Sequence, residues 1–157
     1  MLDETHARRP DAGGDASAIT FGRLTRHLAL ILAHQTQDEP VRTLEGIAAA
    51  LCNRAEGRTS PGSSAIPAAN GLAFADWLVA LQSVLKRELP EPPLPADFAD
   101  PRLALCLRTA VRAVSRALKD PTDGATDFHP SGVLPSWAWP RTSCACIGRF
   151  VFYRPGE

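Results

Sequence analysis

Four stretches of this chain repeat apolar residues at helical spacing, and helix-breaking residues separate them. In residues 19–36, Leu24, Leu28, Ile31 and Leu32 make one stripe, and Thr20 is a candidate N-cap. Residues 40–56 form the second stretch. Pro40 suits a first helical position because its φ is already fixed there, with Glu39 or Asp38 as the cap. Ile47, Ala50, Leu51 and Arg54 lie near one of its faces. Residues 71–89 carry Leu72, Phe74, Trp77, Leu78, Leu81 and Leu85. Residues 102–119 carry Leu103, Leu107, Ala110, Val111, Val114, Ala117 and Leu118. Between them, residues 57–70 are rich in Gly, Ser and Pro and read as a loop. Residues 90–101 hold five of the fourteen prolines and read as an extended connector. With 157 residues in all, the four stripes must share one core. The expectation is a disordered tail over residues 1–17 and one mainly α domain over 18–157.

Charge narrows the partners. Lys+Arg and Asp+Glu both number 17, and a net charge of zero argues against a nucleic-acid binder. The sum hides unlike parts: residues 101–120 carry five positive charges and one negative, residues 61–100 two positive and five negative. Arg108, Arg112 and Arg116 recur every fourth residue, as a solvated face or as a stripe facing an anionic polymer. The first residues mix both signs and contain no apolar run, so they are no secretory signal. No stretch is apolar enough to insert in a membrane. As written, the chain reads as cytoplasmic, or as periplasmic or cell wall if an export signal was omitted. Cys52 and Cys106 fall in helical apolar runs and read as core residues. Cys144 and Cys146 with His129 are a weaker alternative, a metal site, which the spacing does not support. No phosphate-binding glycine motif, nucleophile elbow or zinc-protease motif occurs, and no cofactor or metal is expected.

Residues 121–157 differ from the rest. They hold six of the ten aromatic residues: Phe128, Trp137, Trp139, Phe150, Phe152 and Tyr153. Phe150–Tyr153 is the best strand candidate. Two readings stay open at this point. The rings form a small subcore over the helices, or they line a groove where flat faces stack on sugars.

The run Asp120-Pro121-Thr122-Asp123-Gly124-Ala125-Thr126-Asp127-Phe128-His129 resembles a segment that marks cell wall hydrolases of the spore-cortex-lytic, SleB-like type. Pro135-Ser136-Trp137 and Ile147-Gly148 through Phe152-Tyr153 follow in the same order and at close to the same spacing. Upstream, Glu39-Pro40 and the alanine-rich stretch ending in Asn53-Arg54 resemble the family as well. Residues 57–100 do not. The resemblance implies a lysozyme-like, lytic transglycosylase-like single domain with a small irregular or β C-terminal segment. It implies a peptidoglycan glycan strand, or a related glycan, as the partner. His129, Phe128, Asp127, Trp137 and Tyr153 are the implied substrate-binding residues.

The family cleaves with one carboxylic acid, because a glycosidic oxygen leaves only once protonated. That Glu ends the first helix, and in register with Glu39-Pro40 its place is taken by Gln35. An amide hydrogen-bonds but cannot donate a proton as an acid. Phe150 also stands where family members carry a His. Three readings follow from the resemblance. Glu39, four residues on, substitutes as the acid. Alternatively, the chain keeps a glycan groove and has lost the chemistry, as a pseudoenzyme. Or it keeps the fold alone, as a phage-derived interaction module.

Overall fold

The computed structural model describes residues 12–57, 73–90 and 97–156. Four helices come first: α1 (Ala12–Gln35), α2 (Val41–Ala55), α3 (Phe74–Glu88) and α4 (Pro101–Val114). Three short strands follow: β1 (Asp127–Pro130), β2 (Ala145–Ile147) and β3 (Phe150–Tyr153). The strands form one antiparallel sheet in the order β1-β3-β2. Asp127 faces Tyr153 and Pro130 faces Phe150 on one side of β3; Ala145 faces Phe152 on the other.

The helical stripes meet as their spacing requires. Leu28, Ile31 and Leu32 of α1, Leu44, Ile47 and Leu51 of α2, and Trp77, Leu81 and Leu85 of α3 are fully buried together. α1 lies along α4 and α3, while α2 packs on α3, α4 and the sheet. Trp77 donates its indole N–H to the Val114 carbonyl at 3.0 Å, so α3 satisfies one carbonyl at the end of α4. Phe152 is fully buried and links the sheet to the helices. A side chain on Gly46 would come within 2.9 Å of the Phe152 ring, so α2 accepts β3 only with glycine there.

Three expected boundaries move. α1 begins at Ala12, so residues 12–17 belong to a helix; the remainder of the expected tail lies outside the described residues. α4 ends at Val114 and not near residue 119. Arg116 adopts φ 62°, and the Ala117 N–H reaches the Arg112 carbonyl at 2.8 Å while the Arg116 N–H reaches Ala113 at 3.0 Å. This pair of bonds is the Schellman closure, which reverses the chain and ends the helix. The third stripe starts at Phe74, and Leu72 lies outside the described residues. So do residues 58–70 of the expected loop and 91–96 of the expected connector.

The basic stripe expected over residues 108–116 is partly spent inside the fold. Arg112 pairs with Glu45 at 2.7 Å, and the Arg116 guanidinium sits 4.8 Å from the Trp77 ring. Cys106 is buried, as expected of a core residue. Cys52 is half-buried against the core, and burial pushes its thiol up to about 12. Cys144 donates to the Thr122 carbonyl at 3.2 Å, and Cys146 is exposed. Among the described residues, no three His, Cys, Asp or Glu side chains gather as a metal site would need. No described helix is long and apolar enough to cross a membrane.

Candidate functional site

A cleft of about 470 Å³ opens where the C-terminal ends of three helices meet the sheet. α1 supplies Gln35, α2 leads into it with Arg54, and α3 supplies Glu88. β1 supplies Asp127, Phe128, His129 and Pro130, and the following loop supplies Pro135, Trp137 and Arg141.

Residues 120–126 place β1, and one carboxylate organises them. Asp120 accepts from the Thr122 N–H at 2.7 Å, the Thr122 hydroxyl at 2.6 Å and the Gly124 N–H at 2.9 Å. The Asn53 amide donates to Asp120 at 2.9 Å and to the Ala125 carbonyl at 2.8 Å. Burial works against the Asp120 charge, but these donors outweigh it and hold its carboxyl below the usual range. Gly124 adopts φ 88°, as a turn needing the left-handed region demands. Asn53 thus ties the last turns of α2 to this loop.

Arg54 is tied elsewhere. Its guanidinium donates to the Thr126 carbonyl and pairs with Glu88, with Asp127 at 3.8 Å. It also lies 5.3 Å from the Phe128 ring. Arg141 pairs with Asp127 at 3.1 Å and lies 5.3 Å from the rings of both Trp137 and Tyr153. One wall of the cleft is therefore a chain of alternating charges, Glu88, Arg54, Asp127 and Arg141. The other is aromatic. His129 stacks on Tyr153 at 5.5 Å, and Trp137 meets both rings edge-on.

His129 is buried, and both of its nitrogens are engaged. Nδ1 lies 2.7 Å from the Pro130 carbonyl, which can only accept, so Nδ1 carries the hydrogen. In the neutral ring, Nε2 then accepts from the Tyr153 hydroxyl at 3.0 Å. His129 presents its ring to the cleft, and Tyr153 stands behind it, buried and outside the lining.

The structure thus brings together Gln35, Asp127, Phe128, His129 and Trp137 of the expected residues. Glu39 is not with them. Its carboxylate accepts from the Arg149 Nε at 2.6 Å, the Arg149 N–H at 3.3 Å and the Thr43 hydroxyl at 3.1 Å. The Arg149 hydrogen bond, helped by the backbone N–H and by Thr43, holds Glu39 below the usual carboxylate range despite its burial. A side chain on Gly148, at φ 57°, would strike Glu39 and Thr43 at 2.1 and 2.3 Å. Glu39 thus fastens the β2–β3 turn to the start of α2. Sequence reasoning missed Glu88 and Arg141. Glu88 ends α3 and Arg141 lies in the loop between β1 and β2; nothing in the pattern marks either, and the signal is spatial.

The four helices and the small sheet form a mainly α, lysozyme-like fold of the SleB type. Among solved structures, the crystal structure of the catalytic domain of the Bacillus cereus SleB protein superposes with a TM-score of 0.51. The match spans 98% of this chain and 100% of that domain at 17% sequence identity, so it shows a shared fold. No family model matches the chain, and no curated protein sequence does.

Proposed function

We propose that this protein binds glycan strands of the peptidoglycan type in the cleft between α1 and β1, and that it does not cleave them efficiently. The observation that carries this reading is the position of Gln35, which lines the same cleft as Asp127, Phe128, His129 and Trp137. The resemblance to spore-cortex-lytic hydrolases puts the family's acid at that residue. The amide donates to and accepts from sugar hydroxyls, while Trp137 offers a half-exposed indole face to a pyranose ring. Without the acid, cleavage loses about 10²–10⁴-fold in rate. Such a ligand assigns the protein to a cell wall setting.

The test is retention on insoluble peptidoglycan together with release of soluble muropeptides. Wild type is expected to be retained and to release little. Gln35→Glu is expected to gain lysis, because a carboxyl at that position of the cleft can donate the proton that the amide cannot. Efficient release by wild type overturns the reading. One observation favours a catalytic alternative: Glu88 lines the cleft with its side chain 20% exposed. That alternative requires wild-type release that Glu88→Gln abolishes. Failure of wild type to be retained leaves the fold alone, as in an interaction module.

A further inference from the structure

Beyond the Arg54–Glu88–Asp127 cluster lies a second cavity, of about 430 Å³. It shares those three residues with the first and adds Val84, Arg87, Thr126 and Pro155. The cluster is therefore a waist between two halves of one groove. The charges at the waist answer one another: Arg54 pairs with Glu88 and faces Asp127, and Arg141 takes the other oxygen of Asp127. Arg87 is different. It is exposed on the last turn of α3, and no ion pair or hydrogen bond engages it among the described residues. Its cation stands in a cavity whose other walls include the apolar Val84 and Pro155 and the hydroxyl-bearing Thr126.

We propose that this second cavity takes a carboxylate carried on a short aliphatic arm, a side branch of the strand bound in the first. The proposal rests on the glycan reading above and adds a selectivity to it. In peptidoglycan such a group has two sources, the lactyl ether of the sugar and the peptide attached to it. Arg87 pairs with the carboxylate, and Val84 and Pro155 cover the arm's methyl groups. The gain is modest because Arg87 is solvated, about three- to tenfold in affinity.

Binding of three soluble probes decides it: neutral chitotetraose, peptide-free peptidoglycan strands with free lactyl carboxylates, and strands with intact peptides. Wild type is expected to bind at least one charged probe about fivefold more tightly than chitotetraose, with the preference shrinking as salt rises. A preference for peptide-free strands assigns the lactyl carboxylate; a preference confined to peptide-bearing strands assigns the peptide. Arg87→Ala is expected to erase the preference and leave chitotetraose binding unchanged. Equal wild-type affinity for all three probes overturns the proposal while the glycan reading stands. So does an Arg87→Ala variant that weakens chitotetraose as much as the charged probes. Failure to bind any probe overturns both.

Discussion

Two residues four positions apart, Gln35 and Glu39, end in different surroundings: Gln35 lines the cleft, and Glu39 is bound by Arg149 and Thr43 outside it. Continuing α1 past Gln35 would put Glu39 on the same face, but the helix stops at Gln35 and Asp38 turns through φ 58°. Glu39 is left facing Arg149, and a carboxylate held there gives up no proton at neutral pH. Its lowered pKa makes a prediction about acid. The unfolded chain takes up the proton first, so the contribution of Glu39 is complete above its ordinary value of 4.5 and fades as pH falls through the folded value. Asp120 acts in the same direction from 3.8 downward. Denaturant unfolding followed from pH 7 to about pH 2 should show stability falling through this acid range. Glu39→Gln should flatten the upper part of that fall, and an unchanged profile would show that Glu39 is not tied to Arg149 in solution.

At the scale of elements, the ends matter more than the middles. The Asp100 carboxylate accepts from the Arg102 and Leu103 N–H groups, each at 3.0 Å, with Pro101 in the first turn. This N-cap starts α4 and, through it, sets where Arg102 reaches Thr36 and the Glu39 carbonyl. Asp100→Ala is expected to cost about 1 kcal/mol of stability by denaturant titration, and Asp100→Asn much less. The four helices were legible because an amphipathic stripe of fifteen or so residues has few other ways to be buried. The end of α4 was not, since its apolar stripe runs on to Leu118 and the reversal is made by an arginine in the left-handed region. Nor was β1 legible: Asp-Phe-His-Pro has no strand pattern, and it pairs only because β3 offers an edge beside it.

For the molecule as a whole, the site depends on the sheet being pressed against the helices. Phe152 does this from the middle strand, and its removal should cost about 3–5 kcal/mol. Phe152→Ala is expected to keep much of its helical circular dichroism under mild conditions and to lose glycan retention, since β1 pairs directly with β3. Retention unchanged in a folded Phe152→Ala protein would mean that the β1 side of the cleft contributes nothing to binding. The cleft itself is assembled from the tips of α1, α2 and α3, which lie far apart in the sequence, and from residues 127–141. The motif residues 120–129 pointed to Asp127, Phe128 and His129 of the lining. Glu88, which joins Asp127 on the charged wall through Arg54, came from a part of the chain with no family pattern.

The sequence by itself determined that this chain makes four packed helices and an aromatic C-terminal segment. Periodicity and breakers are local properties, and burial of each stripe follows from them. It also determined that an amide stands at Gln35, which limits proton donation wherever that residue lies. Only the tertiary structure decided that Gln35 and His129 share a cleft, that Glu39 belongs to a structural bracket, and that Glu88, Arg54, Asp127 and Arg141 form one alternating wall. Those outcomes depend on how helix ends meet. A shift of one turn, about 5.4 Å, would separate the charges that now pair, and nothing in the local pattern fixes that meeting.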